Sequence, residues 1–93
     1  MGADVSDEIE QRQALLSEIQ EQLLAGSLSI GNAAKRLRRE VTGLRQEQFA
    51  RMCKISLRTL RQLEQDDGNP TLQTLNGVFN RFGMRVGIVP MRR

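Results

Sequence analysis

QEQFARMCKISLRTLRQLEQ, residues 46–65, holds two short amphipathic segments on either side of a break. The first runs from Gln46 to Cys53 and sets Phe49, Ala50 and Cys53 on one face at helical spacing. Lys54-Ile55 makes a tight connection. Ser56 is then a helix-capping residue, and Leu60 and Leu63 behind it fall three apart, on the inward side of a second helix. Neither helix is long enough to stand alone in water, so each must be held by neighbours. Leu44 sits just ahead of the pair, where an apolar residue staples onto Phe49.

The flanks supply those neighbours. Upstream, Ser29 caps a helix whose Ile30, Ala33, Ala34, Leu37 and Val41 share one face, and Gly43 stops it. Further upstream, residues 4–25 read as a helix that Asp4 or Ser6 caps and Gly26 ends. Its stripe is Val5, Ile9, Leu16, Ile19 and Leu23, with Leu15 and Leu24 beside them and Arg12 and Gln13 interrupting. Downstream, DDGNP at 66–70 is a loop. Thr71 caps a fifth helix with Leu72, Leu75, Val78, Phe79 and Phe82 inward, and Gly83 ends it. In the last stretch Met84, Val86 and Ile88 alternate with Arg85, Gly87 and Val89 until Pro90, the period of a strand. A lone strand has open edges, and pairing with its own copy across a two-fold axis closes one of them.

The expectation is an all-α, five-helix domain with an extra helix at its N-terminal side and a short C-terminal strand that pairs across a dimer. It divides into an acidic amphipathic extension at 1–28, a helix-turn-helix unit at 29–83 and a dimerisation strand with a basic tail at 84–93. The extension can pack on its own body, strengthen the dimer or bind a partner; packing is favoured, because an apolar stripe needs burial wherever it goes.

Composition narrows the function. The net charge is +3, unevenly spread: residues 1–27 hold six acids against Arg12, the remainder thirteen Lys and Arg against five acids. That distribution suits a basic body facing a polyanion. With no His and a single Cys, neither a zinc site nor His-dependent catalysis has ligands, and no nucleophile–base pair or phosphate-cradling glycine loop stands out. The expectation is a non-enzyme without cofactor. One Cys allows no intrachain disulfide. No apolar run approaches the ~20 residues that span a bilayer, and MGADVSDEIEQ at 1–11 has no apolar signal core. A cytoplasmic, nucleoid-associated protein is expected.

The second helix of such a pair can lie in the DNA major groove with its first turns at base edges. Its outward residues are Leu57, Arg58, Thr59, Arg61 and Gln62. Arginine matches guanine O6 and N7, glutamine matches adenine N6 and N7, and Leu57 can touch a thymine methyl. The same side chains also serve an ordinary solvated face.

GLRQEQFARMCKISLRTLRQLEQDDGNPTLQTL, residues 43–75, resembles the Cro/phage-repressor (XRE) type of helix-turn-helix domain, and the resemblance extends over about 30–83. Gln46 stands where that family grips a backbone phosphate. Ala50 stands at the crowded helix crossing. Ile55, Leu60 and Leu63 occupy apolar positions, and Cys53 falls at a core position. Glu64 stands at the family's near-terminal acid and Arg39 where family members pair with it. The resemblance implies base reading by Leu57, Arg58 and Gln62 and phosphate contacts by Gln46, Arg61, Arg45 and Thr59. Two residues depart from the pattern: Lys54 where the family has a turn glycine, and Arg45 where it has a Thr or Ser cap. With FNRFGMRVGIVP at 79–90, where Met84, Val86 and Ile88 would form the dimer strand, the chain is similar to HipB-like antitoxins. That similarity implies a dimeric repressor on a palindromic double-stranded operator, holding a HipA-type kinase toxin. A stand-alone regulator of phage or mobile-element type uses the same DNA chemistry, and a pure protein-interaction module keeps the fold without it.

Overall fold

The computed structural model describes residues 5–91. Five α-helices follow one another: α1 Val5–Ala25, α2 Ile30–Arg36, α3 Gln46–Cys53, α4 Leu57–Glu64 and α5 Leu72–Phe79. Between α2 and α3 the helix widens into a π turn over Leu37–Thr42, and a 3-10 turn, Asn80–Phe82, extends α5. Asp4, a candidate cap for α1, the side chain of Val5 and the last two residues of the basic tail lie outside the described residues.

The helix starts follow from local chemistry. The hydroxyls of Ser29, Ser56 and Thr71 accept the backbone N–H three residues on, each satisfying one donor that an α-helix leaves open. Arg45, ahead of α3, has no acceptor to offer. There Gln48 reaches back instead, its Oε1 accepting the Arg45 N–H at 3.1 Å. The helix ends share one device, in which a left-handed residue lets two N–H groups turn back onto the last carbonyls. Gly26 and Gly83 do this for α1 and the 3-10 turn. Lys54 (φ 59°) and Asp66 (φ 54°) do it for α3 and α4 without glycine's freedom.

The core is built without large aromatics other than Phe. Phe49, Leu60, Leu37, Val78 and Ile19 are fully enclosed, with Ala33, Ala34, Ala50, Cys53, Leu63, Leu75 and Phe79 around them. Phe49 and Phe82 stack with ring centres 6.2 Å apart. Small residues allow close crossings: a Cβ on Gly31 would lie 2.3 Å from the Leu63 carbonyl, so the start of α2 rests on the end of α4. Asp66 locks that contact, accepting the Gly31 N–H at 2.8 Å and the Ser29 hydroxyl at 2.7 Å.

The second half of α1 belongs to this core. Ile19 is buried, Leu16 and Leu23 pack beside it, and Arg36 bonds Gln22 at 3.0 Å while lying 3.5 Å from Glu18. Residues 6–14 are all exposed, Ile9 included, so the stripe is used only where a neighbour lies under it. Likewise Ile30 and Leu72, expected inward, are exposed (Leu72 at 65%). Both sit in the first turn of their helices, where the stripe runs past the edge of what it packs on. Val41 is half-buried.

The C-terminal strand is expected to pair between two copies, and a single chain holds only one side of such a ladder. The described residues contain no strand, and 84–91 carry no regular structure. The alternation is present nonetheless: Met84 and Val86 pack on the core, Arg85 and Gly87 face out, and Ile88 is fully exposed. A ladder needs a second strand, which the expectation draws from a second copy and not from the described residues of this chain.

Candidate nucleic-acid interface

α3, the Lys54-Ile55 connection and α4 form the two-helix unit. The positive φ of Lys54 is the conformation that the turn requires, so the missing glycine changes the residue and not the path. Ala50 is buried at the crossing, Cys53 is buried beside it, and Leu60 and Leu63 face in, as their spacing predicts. Burial raises the Cys53 thiol above its ordinary range, partly countered by the nearby Arg81.

The faces of α4 separate sharply by chemistry. Its apolar Leu60 and Leu63 and its one acid, Glu64, are buried. Arg58 and Arg61 are exposed, and Leu57, Thr59 and Gln62 are half-buried. Gln62 leans toward the 66–70 loop: a Cβ on Gly68 would lie 3.6 Å from its Oε1. The Thr59 Oγ1 accepts from the Ser56 hydroxyl at 2.7 Å and so joins the helix cap. Arg45, at the entry to α3, is exposed on the same two-helix unit.

Behind this face runs a chain of hydrogen bonds. Glu64, 2% exposed, accepts from Arg38 Nε at 2.6 Å and Nη2 at 2.9 Å. A third Arg38 nitrogen bonds the Leu44 carbonyl at 3.1 Å. Gln46 Nε2 donates to Glu64 at 3.1 Å, and Gln46 Oε1 accepts from Arg61 Nε at 3.4 Å. A two-pronged guanidinium–carboxylate contact suits a buried carboxylate, because it satisfies both oxygens at once. Among the described residues no buried side-chain polar atom lacks a partner.

The partner of Glu64 is therefore Arg38 and not Arg39, which is exposed. Arg38 follows the buried Ala34 by four and lies on its stripe, whereas Arg39 is two past Leu37, on the opposite side. The resemblance alone points to Arg39, and the π turn, which takes an extra residue per turn, shifts the register along Leu37–Thr42. Gln46, expected free for a phosphate, is tied to both Glu64 and Arg61. Two supports went unread in the sequence: Asp66 under α2, for which a loop acid gave no signal, and Gln48, whose place three residues after the missing cap is the second half of a capping box.

A short two-helix unit, braced from behind and presenting two exposed arginines on its second helix, is the pattern of a DNA-binding helix-turn-helix domain. A family model described as helix-turn-helix matches residues 35–87, more than half of the chain. The protein belongs to that family, the Cro/repressor type of transcription regulator. Neither the curated proteins nor the solved structures give a match. None of the described helices is long and apolar enough to cross a membrane.

Proposed function

We propose that the protein is a non-enzymatic repressor that binds a palindromic operator as a homodimer, working in the cytoplasm on nucleoid DNA. Leu57, Arg58 and Gln62 read bases; Arg45, Arg61, Gln46 and Thr59 meet phosphates. The observation that carries this reading is the sorting of α4, whose only acid is buried while both its arginines are exposed. An eight-residue helix is about 12 Å long and covers few base pairs. Two copies on half-sites about 34 Å apart supply the remaining specificity. The bond from Arg61 to Gln46 favours joint action of these two residues at one phosphate.

Within that reading we assign the chain to the antitoxin side of a HipA/HipB-like pair, autorepressing its operon, on its similarity over 56–90. The second reading, a stand-alone regulator of phage or mobile-element type, rests on the same helix-turn-helix unit. Purification from native cells with nuclease present separates them: a stoichiometric HipA-type kinase supports the antitoxin, and the chain recovered alone supports the regulator. For the DNA role the test is footprinting on its own promoter. A protected two-fold site is expected, and Arg58→Ala should lose most discrimination against random DNA, about 1–3 kcal/mol per base read. Full discrimination by that variant would refute the assignment of Arg58.

A further inference from the structure

One surface is left without a role by the DNA reading. Between the end of α1, the start of α2 and the chain leaving α5 lies an open groove of about 440 Å³. Its walls are mostly apolar: Leu23, Leu24, Ile30, Phe79, Met84 and Val86. Leu24, at 77% exposure, stands on its rim with Ile30. The last lining residue is Gly87, and the chain beyond it is itself apolar and bare, with Ile88 at 101%, Val89 at 64% and Met91 at 91% exposure.

An apolar groove and an apolar segment thus lie next to each other on one chain, each uncovered. Residues 88–91 are ill placed to fill the groove of their own chain. Residues 84–87 already form one wall, and reversing direction takes four residues. A turn over 87–90 would spend Ile88 and Val89 within the bend, away from the groove. A two-fold axis has no such difficulty, because each copy then gives the segment that it receives. The backbone is also ready for it: from Arg85 to Met91 the one hydrogen bond among the described residues is Val86 N–H to Asn76 Oδ1 at 2.9 Å.

We propose that this groove receives residues 88–91 of a second copy, so that the dimer is a reciprocal exchange of tails in which α1 is a wall of the interface. The proposal rests on the dimer reading above but assigns to α1 a part that a helix-turn-helix pairing by itself does not need. It makes the acidic N-terminal helix a determinant of assembly.

The test mixes two full-length variants, Leu24→Cys and Ile88→Cys, under mild oxidation. Each carries one exposed thiol, since Cys53 is buried, so a fast mixed disulfide reports the tail of one copy in the groove of the other. Sedimentation is run in parallel on the unaltered chain and on Leu24→Asp and Ile88→Asp. Expected are a rapid mixed cross-link, and at least a tenfold weaker dimer for both Asp variants with helix content unchanged. Ile9→Asp, on the exposed half of α1, should sediment like the unaltered chain. A dimer that forms no mixed cross-link, and that both Asp variants leave intact, overturns the exchange while sparing the dimer reading. A monomer at tens of micromolar overturns both.

Discussion

Arg38 and Arg39 are neighbours with the same side chain and opposite situations. Arg38 bonds Glu64 with two nitrogens beneath the surface, and Arg39 is exposed. Removing one partner of a buried pair strands a charge, at about 3–5 kcal/mol. Arg38→Ala should therefore lower the melting temperature by more than about 12 °C in a domain of this size, whereas Arg39→Ala should stay within about 0.5 kcal/mol of the parent. Thermal melting of the two variants side by side decides the matter, and equal losses would mean that the pair is not the brace described. The acid of this pair was legible only through the resemblance, which puts Glu64 at the family's near-terminal acid. The sequence carries the base ambiguously, because two adjacent arginines differ only by the angle at which a helix presents them, and that angle depends on the π turn.

At the scale of elements, the most legible features are those decided within four residues. Ser29, Ser56 and Thr71 each sit one residue before a helix and each accept the expected N–H. Gly26, Gly43 and Gly83 stop theirs in the left-handed conformation. What depends on distant neighbours is less legible. Ile9, Ile30 and Leu72 continue apolar stripes that are correct in phase, yet the stripes outlast the surfaces beneath them. The segment 84–91 alternates as a strand does, but a ladder is a property of two segments. The α4 cap also ties stability to recognition, since Ser56 fixes the first turn from which Leu57 and Arg58 project. Ser56→Ala should cost about 1 kcal/mol. It should weaken operator binding by more than that stability loss alone explains, as a titration well below the melting temperature would register. Unchanged affinity would show that the first turn orders on DNA without its cap.

For the whole molecule, charge and shape belong together. The described body measures 46 × 38 × 18 Å, a slab with α4 as one of its elements. Six acids against one arginine in residues 1–27 leave the thirteen remaining cations to the rest of the chain. DNA affinity should fall linearly on a log–log salt plot with a slope of about −0.9 per neutralised phosphate. Arg45→Ala should lower that slope by about one per subunit and weaken all sequences alike. A loss confined to operator DNA would move Arg45 from phosphate to base contact. The exposure of Arg58 and Arg61 was legible by residue type, because arginines just after a cap and off the Leu60–Leu63 stripe are a local pattern. The bonding behind that face was not, since the link of Gln46 to Glu64 spans 18 residues and arises only when α3 and α4 cross.

The wide turn over Leu37–Thr42 has a consequence for chain length. A π turn is an α-helix with one residue too many, absorbed without moving either end. Excising Arg39, which is exposed, should let the helix close to its regular pitch while Arg38 keeps its place before the excision and Gly43 its place after it. The shortened protein of 92 residues should melt within a few degrees of the original and bind the same operator. Excising Arg61 from α4 would instead rotate everything beyond it by about 100°, turning Leu63 and Glu64 away from their partners and unfolding the domain. The widened helix should thus tolerate the loss of a residue, and the helix proposed to read DNA should not.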